Sequence, residues 1–305
     1  MKVNLVCEGG GVKGIAHIGA ICALEDSGFT FNSFAGTSAG ALVSSLLAVG
    51  YSGYELKDLL FSIDFNLYVK KTILSSIPLI GEKLSLFNSK GLFSTDAIYE
   101  LLTTLFKAKK KQYFRDISNN NLDFLRVIAT DISKKQILVL PEDLNKYNIN
   151  PLQYEIAKAV IMSISIPLFF IPKKLKTSKG SSYIVDGGLM SNFPIWLYSN
   201  STNKNYPTFG LRLTSDNDYK TTYAEKCPFT TYLLDIVNAS MSKNESLYFK
   251  NNSYFSIINI PTFNIGVTDF KISLQDKKRL FNSGYNATID FLKLSNKLKS
   301  SGLHT

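Results

Sequence analysis

Val3-Asn4-Leu5-Val6-Cys7 is a short apolar run, and Glu8 followed by Gly9-Gly10-Gly11-Val12-Lys13-Gly14 breaks it. The run reads as a buried strand and the glycine cluster as a tight turn. Ile15, Ile18, Ile21, Cys22 and Leu24 then recur at helical spacing, with Gly28 placed as a C-terminal cap. A second strand leads into Phe34-Ala35-Gly36-Thr37-Ser38-Ala39-Gly40, and Ala39 to Val49 reads as a helix of small residues. Strand, helix, strand, helix in this order predicts an α/β fold, a parallel sheet covered by helices.

Further along, strands are expected at Leu125 to Thr130, Gln136 to Leu140, Tyr183 to Val185, Thr208 to Leu213 and Tyr254 to Ile260. Helices are expected at Pro151 to Ser163, Thr230 to Lys250 and Ser273 to Lys299. No repeat or low-complexity linker divides the chain, so residues 1–305 are taken as one domain. Residues 61–93 lack a clean period and mix apolar clusters with glycine, proline and lysine. They read as an insertion that caps a site or meets lipid, or else as ordinary helical packing.

Hydrophobic residues make up 45% of the chain and charged residues 19%, the profile of a folded globular protein. Cys7, Cys22 and Cys227 are too scattered for a disulfide framework and read as reduced, buried thiols. No stretch has the length of a signal-peptide core or a membrane span. A cytoplasmic or peripheral-membrane location is expected, and export without a signal peptide is equally compatible. The net charge is +10, partly gathered at Lys107, Lys109, Lys110 and Lys111 and at Lys173, Lys174, Lys176 and Lys179. Solvated loops account for such runs, as does attraction to anionic headgroups. No zinc-finger, RNA-recognition or basic-helix signature accompanies the charge, so nucleic acid is not the expected partner.

The Gly9–Gly14 loop satisfies G-x-G-x-x-G between a strand and a helix, which is the dinucleotide-binding context. That site needs an acidic residue at the end of the second strand; here the strand runs into Gly36-Thr37-Ser38, and Glu25 and Asp26 fall inside the helix. A P-loop fails too, because Gly14 follows Lys13 where Ser or Thr would bind magnesium. Neither a cofactor nor a metal is expected. Converging N–H groups at a helix start remain, suited to a phosphate or to the oxyanion of a tetrahedral intermediate.

Gly36-Thr37-Ser38-Ala39-Gly40 is a G-x-S-x-G turn, the pattern of a strained nucleophile elbow whose flanking glycines avoid neighbouring backbone. A triad needs a histidine, and the chain has two. His17 precedes the serine on an apolar helix face and His304 is the penultimate residue. A carboxylate is left to take the serine proton. Asp186-Gly187-Gly188, delivered by a strand and followed by glycines, is the leading candidate, with Asp131 as competitor. An aspartate of ordinary pKa near 3.9 is a weak base unless burial raises it.

Taken in order, Gly9–Gly14, Gly36–Gly40 and Asp186–Gly188 resemble the motifs of the patatin-like phospholipase family. Asn192 and Pro194 fit as well, as do Ala129-Thr130-Asp131 and Ser163-Ile164-Ser165-Ile166-Pro167, where Met162 replaces a more usual alanine. The resemblance runs from about residue 3 to 210; residues 211–305 read as a C-terminal extension without a signature. It implies a three-layer α/β/α fold with a mostly parallel central sheet. It also implies calcium-independent hydrolysis of fatty acyl esters in phospholipids or lysophospholipids. By position, Ser38 would be the nucleophile and Asp186 the base. The Gly9, Gly10, Gly11, Val12, Lys13 and Gly14 loop would form the oxyanion hole, chiefly through N–H groups around Gly10, Gly11 and Val12. Gly36, Gly40, Gly187 and Gly188 would shape the turns, and Asp131 would be structural.

Three other readings share these residues. Acyl transfer to an acceptor other than water would use the same acyl-enzyme. A lipid- or partner-binding module would have no need of Ser38, Asp186 and the glycine loop together. A nucleotide-binding protein would respond to a dinucleotide titration. Substrate selectivity is expected to fall to residues 61–93 and the C-terminal third, with the activating partner, if one is required, left open.

Overall fold

In a computed structural model of the chain, residues 1–68, 70–71, 88–118, 122–178, 180–199, 206–215, 239 and 255–300 are described. The strands are β1 (Lys2–Cys7), β2 (Thr30–Thr37), β3 (Lys70–Lys71), β4 (Gly91–Ser94), β5 (Leu125–Asp131), β6 (Gln136–Leu140), β7 (Leu168–Phe170), β8 (Lys173–Thr177), β9 (Gly180–Asp186), β10 (Thr208–Thr214) and β11 (Phe255–Pro261). The principal helices are α1 (Ile15–Asp26), α2 (Ala39–Ala48), α3 (Gly53–Ser62), α4 (Asp96–Ala108), α5 (Ile156–Ser163) and α6 (Leu274–Ser300).

The central sheet has the order β11-β10-β1-β2-β5-β9-β8, with β6 also on β5. β11, β10, β1, β2 and β5 run parallel, while β6, β9 and β8 join antiparallel, so the sheet is mostly parallel and flanked by helices, as expected. Alternation along the strands separates its faces. Leu5, Cys7 and Phe34 enter the main core beneath α1 and α2, whereas Val6 and Ala35 pack on Phe193, Ile195 and Tyr198. β8 is the terminal strand of the sheet; it buries Leu175 and turns Lys174 and Lys176 outward. Half of the second lysine cluster thus guards a sheet edge against further pairing.

Gly28 stands just past α1 with φ 79, the left-handed cap its type permits. α6 crosses α1 with the two backbones in contact: a Cβ on Gly284 would lie 1.8 Å from the Ala16 carbonyl oxygen, and one on Gly19 would lie 1.9 Å from that of Phe281. Lys277 of α6 buries its ammonium at the end of α3, donating to the Leu60 and Ile63 carbonyls at 3.0 and 2.6 Å.

Two expectations need correcting. The helix from Pro151 begins at Ile156, because Pro151–Gln153 forms a 3-10 turn capped by Asn150 and Glu155 is extended (ψ 128). The Tyr183–Val185 strand is the end of a longer one, Gly180–Asp186. β7, β8, α3 and α4 are not among the elements expected from the sequence. The helix expected at Thr230 to Lys250 lies outside the described residues, Ala239 excepted. Of residues 61–93, the described parts end α3, form a 3-10 turn at Phe65–Tyr68 and supply β3 and most of β4, which join β7 in a small second sheet. Among the described residues no helix is long and apolar enough to cross a membrane.

Candidate active site

β5 has two edges, and β6 occupies one of them from Val127 to Asp131. β2 lies along the other and ends with Thr37 opposite Ile128. At the next residue β9 takes that same edge, with Asp186 opposite Ala129. The two strands run in opposite directions and meet C-terminal end to C-terminal end. Ser38, one residue beyond Thr37, is thereby delivered against Asp186.

Ser38 has φ 52 and ψ −123, a backbone conformation costly for a residue with a side chain. Its neighbours make the turn feasible by lacking one. A Cβ on Gly36 would lie 2.4 Å from the Gly40 carbonyl carbon, and one on Gly40 would lie 2.2 Å from the Cys7 oxygen at the end of β1. The Ser38 N–H donates to Ser163 Oγ at 2.9 Å, and Ser163 Oγ donates to the Ile128 carbonyl at 2.5 Å. Ser163, which the sequence offered only as part of a resemblance, clamps the turn from α5 onto β5.

Asp186 is fully buried. Its Oδ1 accepts from the Gly188 N–H at 2.8 Å, and its own N–H donates to the Ser165 carbonyl at 2.8 Å. Burial pushes the carboxyl from its ordinary 3.8 up to about 7, against the opposing pull of the Ser38 hydroxyl and the Gly188 N–H. The serine is close enough to favour the charged carboxylate, yet Oδ2 is left without a hydrogen bond. Gly187 presses against the Ile128 carbonyl, where a Cβ would stand at 2.3 Å.

The glycine loop lies at the end of β1, on the same rim as Ser38, with Cys7 in register with Gly36. Its N–H groups divide. Gly9 donates to the Asn192 carbonyl at 2.9 Å, Val12 to that of Val267 at 3.0 Å and Lys13 to that of Gly10 at 3.1 Å. Among the described residues, Gly10 and Gly11 N–H donate to nothing. The loop is braced from behind: Glu8 Oε2 accepts from the Leu213 N–H at 2.5 Å, and the Glu8 carbonyl bonds His17 Nε2 at 2.8 Å. Val267, from the C-terminal third, had no sequence signal because its contact is made through a backbone carbonyl.

Asp131 is spoken for. Its Oδ1 accepts from the Ser133 and Lys134 N–H groups at 2.8 and 3.0 Å, and its Oδ2 from the Tyr147 hydroxyl at 2.5 Å. His17 is buried in α1, its pKa lowered by burial to about 4, so it stays neutral. His304 and Lys179 lie outside the described residues. Cys7 and Cys22 are buried and unpaired. In the first lysine cluster, Lys109 pairs with Glu55 at 2.7 Å and Lys111 donates to the Asp116 carbonyl.

An apolar cavity of about 190 Å³ opens beside Ser38. Among the described residues, α2, α3 and α4 line it together with the glycine loop and α1, and so do parts of the two segments expected to bear on selectivity, residues 61–93 and the C-terminal third. Those segments contribute Ile63, Phe65, Tyr68 and Phe270.

A family model described as "Patatin-like phospholipase" matches residues 5–197. The chain belongs to this family. The match begins in β1 and ends within the 3-10 segment Pro194–Tyr198, so it takes in all three motifs of this patatin-like phospholipase. YqhO of Bacillus subtilis (strain 168) is 35% identical over 96% of this chain and 99% of its own length. A protein of Invertebrate iridescent virus 6 named "Probable lipid hydrolase 463L" is 28% identical over 80% of this chain and 81% of its own. Among solved structures, VipD from Legionella pneumophila superposes with a TM-score of 0.57 at 18% identity, a likeness of fold. That match covers 95% of this chain, which spans 66% of the VipD chain.

Proposed function

We propose that this patatin-like phospholipase hydrolyses fatty acyl esters of phospholipids or lysophospholipids through a Ser38–Asp186 dyad. One observation carries the reading: two strands abut on one edge of β5 and bring a strained, buried serine against a buried carboxyl whose pKa is about 7. A base titrating there is half charged near neutrality and strong enough to accept a serine proton.

In the proposed cycle Asp186 takes the proton of Ser38 Oγ as that oxygen attacks the ester carbonyl. The tetrahedral oxyanion is met by the Gly10 and Gly11 N–H groups, with the adjoining helix start favouring its charge. The C–O bond to the alcohol breaks, Asp186 returns the proton to the departing oxygen, and an acyl-Ser38 ester remains. Asp186 then takes a proton from water, whose oxygen attacks the acyl carbon; Ser38 regains a proton and the fatty acid leaves. No step calls for calcium. The basic surface favours anionic interfaces, which would place the enzyme at a membrane surface while it works.

A fluorescent fluorophosphonate tests the dyad directly. Wild type should label, Ser38→Ala should not, and Asp186→Asn should label far more slowly. Equal labelling of wild type and Ser38→Ala would refute the assignment of the nucleophile.

A further inference from the structure

We infer that the cavity beside Ser38 is a blind acyl tunnel that measures chain length and admits about ten carbons, an inference that rests on the hydrolase reading above. Its lining is apolar throughout; among the described residues only Ser38 and Tyr68 bring a polar side-chain atom to it. Apolar cavities of ~150 Å³ stay dry and accept hydrocarbon guests, so about 190 Å³ suits an alkyl chain better than water.

The helices give the tunnel a direction. α2 starts at Ser38 and presents Leu42 and Leu46 to the cavity one and two turns along. α4 runs alongside: Ile98 belongs to the cluster of Ile166 and Phe170 near the mouth, and Leu105 lies toward the other end. At that end Tyr51 ties the two helices together. The Tyr51 N–H donates to the Leu46 carbonyl at 3.0 Å and the Tyr51 hydroxyl to the Leu105 carbonyl at 3.0 Å. Lys109 sits 4.4 Å from the Tyr51 ring centroid and pairs with Glu55 at 2.7 Å, bracing the helix ends from outside.

Leu46 stands eight positions beyond Ser38 (46 − 38), which is ~12 Å at the helical rise. An extended chain advances ~1.2 Å per bond, so about ten carbons fit between the acyl carbonyl and the floor. Every methylene that enters adds buried apolar surface, raising kcat/KM about fourfold, until the floor is reached.

The test is a saturated p-nitrophenyl ester series from four to sixteen carbons. Wild type should peak near ten carbons and fall at least tenfold by sixteen. Leu46→Ala should move the peak two to three carbons longer, with Leu105→Ala as the second route should the first variant fail to fold. Leu42→Phe should move it shorter. A parallel readout needs no turnover: Ser38→Ala should bind decanoate more tightly than hexadecanoate in displacement of a fluorescent fatty acid. Ester cleavage with a flat profile, or a peak that neither floor variant moves, would overturn the tunnel and leave the hydrolase reading standing. Length-selective fatty-acid binding without cleavage of any ester would do the reverse.

Discussion

Thr37 and Asp186 pair with consecutive residues, Ile128 and Ala129, on the same edge of β5. That adjacency joins motifs lying 148 positions apart (186 − 38) in the chain. Because β2 and β9 both end at that point on the β5 edge, the turn at Ser38 and the end of β9 compete for no space.

Burial lifts the Asp186 carboxyl from 3.8 to about 7, so between those values the folded chain holds a proton that the unfolded chain releases. Stability through this group is therefore highest below about pH 4 and declines as the pH climbs to about 7. Activity should do the opposite, with kcat/KM rising to a plateau through a midpoint near pH 7. Asp186→Asn should abolish turnover and, at pH 8, stabilise the fold by on the order of 2–4 kcal/mol. A pH–rate profile and urea unfolding at pH 5 and pH 8 check both limbs.

Ser163→Ala removes the acceptor of the Ser38 N–H and the donor to the Ile128 carbonyl. Leaving two buried backbone groups unpaired should cost about 1–3 kcal/mol. The loosened elbow should lower kcat roughly tenfold to a hundredfold with KM little changed. Steady-state kinetics beside denaturant unfolding would separate the two effects.

Gly40→Ala places a methyl 2.2 Å from the Cys7 carbonyl oxygen, where β1 and the elbow leave no room. The backbone must move, at a cost of about 1–3 kcal/mol or more. Fluorophosphonate labelling should fall away at temperatures where circular dichroism still reports a folded chain.

Gly284→Val tests the seat of the C-terminal helix. A side chain there meets the Ala16 carbonyl oxygen at 1.8 Å and must lift α6 from α1. A lower Tm and faster hydrogen exchange across 274–300 are expected, with protection of β1 and β2 retained.

The turns around Ser38 and Asp186 were legible in the residues. Glycines mark turns wherever backbone must approach backbone, and G-x-S-x-G needs small neighbours at Gly36 and Gly40. Short-range periodicity likewise placed β1, α1 and α2 correctly. Residues 151–155 depart from it, because helix-compatible residues such as Leu152, Gln153 and Glu155 do not reveal that Glu155 turns extended to meet Tyr113.

What tertiary structure alone decided is where strands stop. Sheet register is set by hydrogen bonds between residues far apart in the chain, and no local pattern states that β9 takes over the edge that β2 leaves. The same holds for the Val267 carbonyl on the Val12 N–H, since a backbone group carries no residue identity to read. The tunnel belongs with them. Leu42, Leu46, Leu56 and Leu105 look in sequence like any core leucines, and only the packing of three helices leaves a void between them. Sequence set which groups were available, while burial and long-range pairing set the pKa of Asp186, the neighbours of Ser38 and the cavity beside it.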